Sequence, residues 1–184
     1  MLEPTPDDDW DQVAAFFQAT SAAAFAVAVR GARTRQDAED AVQEAYMRIY
    51  SQWSKWTRLD EDGRRSRLRR VLAQVLAERY RKGFERFEVS LEDPMDGADQ
   101  EARPALDPDL ANAYSQVCRA IAAMPVRRRE IAALHWIAGF ERSEVAKALG
   151  LNAVTIRIHL RNARADLERA GMKRLVQQVL GELS

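Results

Sequence analysis

The chain has 184 residues, of which 47% are hydrophobic and 30% charged, a balance typical of a folded protein and not of a disordered one. A single cysteine, Cys118, excludes an internal disulfide and a cysteine-based zinc site, and two histidines are too few for a metal or triad cluster, so we predict no metal and no cofactor. Basic and acidic residues balance at 28 each, which at first argues against a nucleic-acid partner.

The charge is distributed unevenly along the chain. Residues 91–112 hold 1 basic and 7 acidic side chains, whereas residues 113–184 hold 12 basic and 6 acidic ones. Pro94, Pro104 and Pro108 interrupt any helix in the acidic stretch, which predicts an extended linker. Because Gly and Pro are scarce, helix is favoured over strand. We predict an all-α fold of two small helical domains, at 1–88 and 112–184, joined by an acidic linker at 89–111.

The N-terminus lacks the pattern of a targeting segment. It runs from Met1 into Asp7-Asp8-Asp9 without a basic region, and the longest apolar stretch, 22–29, is far short of the roughly 20 residues that span a bilayer. We therefore expect a cytoplasmic protein with no membrane insertion.

Helical periodicity predicts two helices at the start of the chain. The first covers 10–30 and ends at a polar turn, 33–36. The second begins at about Asp37, whose carboxylate is placed to cap it. Its apolar residues form one stripe: Ala38, Ala41, Val42, Ala45, Ile49 and Trp53.

A third helix is predicted at about 64–84, and Gly83 is expected to end it. Its apolar residues also share one face: Leu68, Val71, Leu72, Val75 and Leu76. Three helices of this length can close a core of their own.

The pattern of a helix-turn-helix begins at Arg142. Ser143 is a good N-cap for a short helix, Gly150 allows the left-handed turn that ends it, Leu151 fills the angle between two helices, and Asn152 caps the next helix. In the second helix Ile156, Leu160, Ala163 and Leu167 form a packing stripe.

The polar and exposed positions of this second helix are candidates for contacts with base edges and phosphates. They are Thr155, Arg157, Ile158, His159, Arg161, Asn162 and Arg164. A solvated charged helix in an ordinary bundle is the alternative interpretation.

The segment before this motif contains Met124-Pro125, Arg129 and then Gly139-Phe140. It resembles the start of region 4 in extracytoplasmic-function (ECF) sigma factors, although the helix-turn-helix alone is also similar to that of LuxR-type regulators. Near the N-terminus, Asp37-Ala38-Glu39-Asp40 followed by Gln43-Glu44 resembles region 2 of the same family. Two such motifs in order are more specific than either alone, and together they span roughly residues 10–170.

The resemblance implies a sigma factor, which is not an enzyme. Its expected partners are the RNA polymerase core, through the β′ clamp helices and the β flap, promoter DNA, and an inhibitory anti-sigma factor. Polymerase docking would fall on Asp40, Gln43 and Glu44, which we expect to be exposed and without an internal partner. For Asp40, a favourable interaction with the helix dipole is the alternative explanation.

Opening of the −10 element needs positive charge and a stacking surface. The candidates for these contacts are Trp56, Arg58, Arg64, Arg65, Arg67 and Arg70. Trp53 continues the apolar stripe and is expected in the core. In the family the linker threads the RNA channel of the polymerase, but a plain soluble tether would have a similar composition.

Three features depart from the family pattern. The tryptophan and asparagine common in the third helix of region 2 are absent, and Ile158, His159 and Asn162 stand where Ser, Arg and Arg are usual, which predicts an altered −35 preference. Beyond Gly171, apolar residues at helical spacing are expected to pack back on the domain or to meet a partner.

Two other functions stay open. One is a helix-turn-helix regulator that binds DNA as a dimer without polymerase. The other is a degenerate family member that binds polymerase or an anti-sigma factor without reading promoters.

Overall fold

The fold is all-α in a computed structural model that describes residues 6–32, 34–89 and 116–172. Its helices are α1 (Pro6–Gly31), α2 (Arg35–Tyr50), α3 (Trp53–Trp56), α4 (Glu61–Val89), α5 (116–122), α6 (Val126–Ala132), α7 (Arg142–Leu149) and α8 (Ala153–Arg169). One π-helical turn, Ala133–Ile137, continues α6. The prediction of an all-α fold is confirmed. Apart from Val89 and Met172, the predicted linker and the tail beyond Gly171 lie outside the described residues.

The start of α2 differs from the prediction. Thr34, in an extended conformation, is the N-cap, and its hydroxyl accepts a hydrogen bond from the backbone N–H of Asp37 at 3.0 Å. Arg35 and Gln36, expected in the turn, lie in the first turn of the helix. The expectation that Asp37 caps α2 was therefore wrong, because the helix begins two residues earlier, at Arg35, and Thr34 caps it.

Helix α4 is longer than predicted at both ends. It begins at Glu61, where the Asp60 carboxylate accepts from the N–H of Gly63 at 2.8 Å, and it continues through Gly83 to Val89. Gly83 is not among the glycines with positive φ in the described residues. The predicted end at Gly83 was wrong because a glycine that stays in helical conformation costs only about 1 kcal/mol and does not stop a helix.

The N-terminal half closes around an aromatic cluster. Phe16 of α1 packs against Trp53 and Trp56 of α3, with ring centroids 5.8 Å and 6.3 Å away. The predicted stripe of α2 and most of that of α4 are buried in the same cluster, as is Tyr46. The hydroxyl of Tyr46 shares a hydrogen bond of 2.6 Å with that of Thr20, whereas the buried indole nitrogen of Trp53 has no hydrogen-bond partner among the described residues.

The two halves of the chain share one hydrophobic core. Leu72 and Leu76 of α4 belong to the same buried cluster as Leu134, Phe140 and Val145 of the C-terminal half. Tyr80 of α4 also packs against a second, smaller cluster, whose buried members come from the C-terminal half: Val117, Ile121, Met124, Ala132, Ala133, Ala163 and Leu167. The division into domains at 1–88 and 112–184 stays a prediction, but the described parts of both are in contact.

Polar contacts accompany this packing. The Arg69 guanidinium of α4 makes two hydrogen bonds to the Glu144 carboxylate of α7, one of them 2.9 Å long. The side-chain amide of Gln74 donates to the carbonyl of Ala148 at 3.2 Å. Helix α4 therefore presents specific donors to α7 in addition to apolar surface.

Helix α1 carries a segment long and apolar enough to cross a bilayer by length and composition. This segment, Trp10–Gly31, has a mean hydropathy of 1.5 and is one-third buried. This segment is longer than the uninterrupted apolar stretch 22–29 because a high mean hydropathy is compatible with a few polar residues such as Thr20 and Ser21. Its buried residues Phe16, Val27 and Ala28 lie in the core. The core helix of a globular protein passes the same test, so the segment is weak evidence for a membrane span.

The contact between the halves can be measured with a double-mutant cycle on Arg69→Ala and Glu144→Ala. We expect a coupling free energy of about 1 kcal/mol in urea unfolding, because the pair is bidentate and partly buried. The exposed pair Arg65–Glu61 on α4 is the matched control, with about 0.3–0.5 kcal/mol expected. A coupling no larger than that of the control would contradict the packing of α7 on α4.

The same pair predicts a pH dependence of stability. The hydrogen bond from Arg69 outweighs desolvation and holds the pKa of Glu144 below its ordinary value. A lowered folded-state pKa contributes stability above the unfolded pKa of about 4.3, and this contribution is lost as the pH falls through the folded value.

Glu144→Gln should therefore be less stable than the wild type at neutral pH, and the gap should close in acid. The measurement is the urea midpoint of both proteins across this pH range. If the urea midpoints of the two proteins changed in parallel with pH, the Glu144 carboxylate would not be held by Arg69.

Candidate functional site

The helix-turn-helix is formed by α7 and α8. Gly150 ends α7 in the left-handed conformation (φ 65°, ψ 34°), and Leu151 packs against the core. Asn152 caps α8 by accepting from the N–H of Thr155 at 2.7 Å. These three predicted features are confirmed, and together they set the sharp turn between the two helices.

The predicted N-cap of α7 was wrong. Glu141 occupies that position, its side chain and that of Glu144 form a capping box, and Ser143 lies inside the first turn. The Glu144 carboxylate accepts from the N–H of Glu141 at 2.9 Å while it also binds Arg69. A single carboxylate therefore stabilises the start of α7 and attaches it to α4.

The turn before α7 explains the Gly139-Phe140 pair. Gly139 has φ 74°, and Phe140 is fully buried. Its carbonyl lies 2.7 Å from Nδ1 of the buried His135, and its ring lies under the guanidinium of Arg69 at 5.3 Å. The glycine is needed because other residues rarely adopt this conformation, and it lets the phenylalanine reach the shared core.

The outer face of α8 carries charge and apolar surface. The predicted packing stripe is buried, and Arg157, Arg161 and Arg164 are exposed as expected. Ile158 is 42% exposed, and Val154, which the sequence interpretation missed, is 54% exposed. The exposure of Val154 could have been predicted from helical periodicity, because the helix starts at Ala153 and this residue lies on the face away from the packing stripe.

Three predicted members of this face are less exposed than expected. Thr155, His159 and Asn162 are half-buried. His159 has a buried Nδ1 without a hydrogen-bond partner, and burial, together with Arg128 and Arg127 of α6, lowers the pKa of its imidazole. It is therefore neutral near pH 7 and lies on the flank of α8 near α6, so it adds no positive charge to the outer face.

Helix α6 contains the Pro125 and Arg129 that carried the resemblance to region 4. Pro125 precedes the helix as its N-cap residue. Arg129 is 96% buried, and its guanidinium donates to the carbonyl of Ala122 at 2.9 Å. Arg129 therefore stabilises the connection between α5 and α6 and is not available for DNA.

The polymerase-docking candidates on α2 differ in their surroundings. Gln43 is exposed as expected. Asp40 is half-buried and accepts a hydrogen bond from Gln36 at 3.2 Å, so the expectation that it is exposed and without an internal partner was wrong. Glu44, expected to lack an internal partner, pairs with Arg48 at 2.5 Å and with Arg79 at 3.2 Å. That expectation was wrong, because α2 and α4 lie side by side and their facing charges form a network.

An exposed apolar patch lies beside these residues. Met47 and Tyr50 of α2 are 65% and 50% exposed, and the ring of Trp10 from α1 stands edge-on to Tyr50 at 5.5 Å. Met47 follows Asp40 and Gln43 by seven and four residues and therefore shares their face of the helix. The outer surface of α2 thus combines polar and apolar groups, which is typical of a binding surface.

The candidates for contact with opened DNA are only partly available. Trp56 is 1% exposed, so the expectation that it offers a stacking surface was wrong. It joins the core because α3 turns both of its tryptophans toward Phe16. Of the neighbouring aromatic residues Tyr50, Trp53 and Trp56, Tyr50 is the exposed one.

The nearby arginines divide into two groups. Arg64 donates to the carbonyls of Trp56 and Thr57, each at 3.1 Å, and Arg65 pairs with Glu61 at 2.5 Å. The others are exposed and have no ion pair in the described part of the chain. They are Arg58, Arg67 and Arg70.

Comparisons with known proteins support the fold. No protein-family model matches the chain, and no curated protein sequence matches it. Among solved structures, the chain is similar to CnrH in "Structure of CnrH in complex with the cytosolic domain of CnrY", with 20% identity and a TM-score of 0.52. The match covers 85% of this chain and 86% of that one. CnrH is an ECF sigma factor, and the likeness shows that this chain has its fold.

The outer face of α8 predicts a salt-dependent affinity for duplex DNA. Arg157→Gln and Arg161→Gln should each weaken binding to a random duplex and lower the slope of log affinity against log salt by about 0.9, because each removes one phosphate contact. Fluorescence anisotropy at several salt concentrations measures both.

Arg169→Gln is the matched control, since Arg169 pairs with Asp166 at the end of the same helix. An equal loss in this control would mean that net charge, and not this face of α8, determines binding.

Proposed function

We propose that the chain is a sigma factor of the ECF type, a dissociable subunit that directs RNA polymerase to promoters and performs no chemistry itself. The main support is the likeness in fold to CnrH over 85% of the chain, combined with region 2-like and region 4-like motifs in the same order. A cytoplasmic location and the absence of a cofactor follow from this role.

The −35 element is the proposed target of the helix-turn-helix. A recognition helix places its N-terminal residues against base edges in the major groove. Val154 and Ile158 are exposed there and suit the methyl groups of thymine, while Arg157 and Arg161 suit guanine edges or phosphates. Readout by apolar contacts with few hydrogen bonds agrees with the expected departure from the usual −35 preference.

The outer face of α2 is the proposed docking surface for the β′ clamp helices. Asp40 and Gln43 supply polar contacts, and Met47, Tyr50 and Trp10 supply apolar area beside them. Glu44 acts indirectly, because its carboxylate is engaged by Arg48 and Arg79 and holds α2 against α4. The helix-turn-helix domain is proposed to meet the β flap.

Contacts with the −10 element are proposed for the exposed arginines of this region, Arg58, Arg67 and Arg70. Arg64 and Arg65 have partners within the chain and contribute less. An anti-sigma factor is a further proposed partner, since the solved structure of CnrH holds the cytosolic domain of CnrY.

Run-off transcription with purified core polymerase and a genomic promoter pool tests this function. The chain should produce new start sites that share −35 and −10 elements. The double variant Asp40→Ala/Gln43→Ala should lose them and bind core polymerase at least about tenfold more weakly, as expected for two interface residues. Glu39→Ala, an exposed carboxylate on another side of α2, is the matched control and should keep full activity.

Co-elution with core polymerase separates the alternatives. Co-elution without transcripts would indicate a factor that binds polymerase but no longer reads promoters. The absence of both would refute the sigma-factor proposal and favour a helix-turn-helix regulator that acts without polymerase.

A further inference from the structure

A cleft of about 350 Å³ lies where the two halves of the chain meet. One side is lined by the α3–α4 connection and the start of α4, including Ser66, Arg67 and Arg70. The other side is lined by Glu144 and Lys147 of α7. The cleft exists because Arg69, on the neighbouring side of α4, holds α7 in place through Glu144.

The cleft carries uncompensated positive charge. Arg67, Arg70 and Lys147 are exposed, and none of the three forms an ion pair within the described residues. Other arginines of α4 have partners: Arg64 binds backbone carbonyls, Arg65 binds Glu61, and Arg69 binds Glu144. The cleft therefore brings together three exposed cations, from two helices, that have no ion pair in the described part of the chain.

Glu144 is the one carboxylate among the described residues of the lining. It is bound to Arg69 and to the N–H of Glu141, and Lys147 also contributes to lowering its pKa, so this one negative charge does not balance the three cations of the cleft together with Arg69. The guanidinium of Arg67 lies over the buried ring of Trp56 at 5.5 Å. Arg67 makes no ion pair to the described residues, so its N–H groups are available to an anion.

We propose that this cleft binds a phosphate group, with Arg67 and Arg70 on one side, Lys147 on the other, and the Ser66 hydroxyl as a further donor. Arginine donors suit the tetrahedral oxygens of phosphate, and lysine adds a point charge. The described residues that line the cleft include no aromatic ring, so recognition is of the phosphate and not of a nucleobase. Polyphosphates and the nucleic-acid backbone share this chemistry.

A phosphate bound there ties the two halves together, because its ligands come from both α4 and α7. Its affinity therefore depends on the packing of the halves in the free chain. Arg67 and Arg70 are also proposed −10 contacts, but this inference goes beyond the proposed function, since the site adds Ser66 and Lys147 and requires neither polymerase nor promoter.

Isothermal titration calorimetry of the full chain with inorganic tripolyphosphate at low ionic strength tests the proposal. Arg70→Gln and Lys147→Gln should each weaken binding about tenfold, as expected for one charge-assisted hydrogen bond. Lys55→Gln, which removes the same charge from an exposed lysine of α3 outside the cleft, should change the affinity less than about twofold. Circular dichroism checks that all variants keep the helical fold.

A second arm identifies the source of the phosphate. A short single-stranded DNA that competes with tripolyphosphate, and whose binding falls in the same two variants, assigns the site to the nucleic-acid backbone. Without competition, the site takes free polyphosphate. The proposal is overturned if tripolyphosphate does not bind, if only one of the two cleft variants weakens binding, or if the Lys55 control weakens it equally.

Discussion

Helix α4 is the element on which the rest of the structure depends. Its residues Leu72 and Leu76 are buried in a core shared with both α2 and the C-terminal half. The same helix provides Arg69 and Gln74, which bind α7 through a carboxylate and a carbonyl. Because one helix serves both halves, the position of the helix-turn-helix relative to α2 is set by packing and not by the linker.

This constraint divides the arginines of the chain into structural and available groups. A sequence count of positive charge treats Arg64 and Arg67 alike, but Arg64 is bound to backbone carbonyls and Arg67 is exposed without an ion pair in the described residues. Arg129 belongs to the structural group, because it is buried. The proposed nucleic-acid contacts therefore depend on a few exposed cations, which include those on α8 and around the cleft between α4 and α7.

Local patterns in the sequence were sufficient for much of the fold. The apolar stripes follow from helical periodicity, and the turn at Gly150 and Asn152 follows from backbone preferences that involve neighbouring residues alone. Some errors were local and concern helix ends, at Asp37, Gly83 and Ser143. The errors at the candidate site concern long-range contacts. Trp56 and Glu44 looked available in the sequence because their partners, Phe16 and Arg79, lie some 35 to 40 residues away along the chain. No local pattern in the sequence predicts the core that α4 shares with the C-terminal half.

The distance between the two halves in the free protein tests this account most directly. Ser66 lines the cleft on α4, and Ser143 is exposed beside Glu144 on α7. Spin labels on Ser66→Cys and Ser143→Cys, with Cys118→Ser, would report their separation by pulsed electron paramagnetic resonance. A narrow distribution at short distance is predicted if α4 and α7 are packed together. A broad distribution at long distance would show that the halves move independently, and it would contradict the shared core.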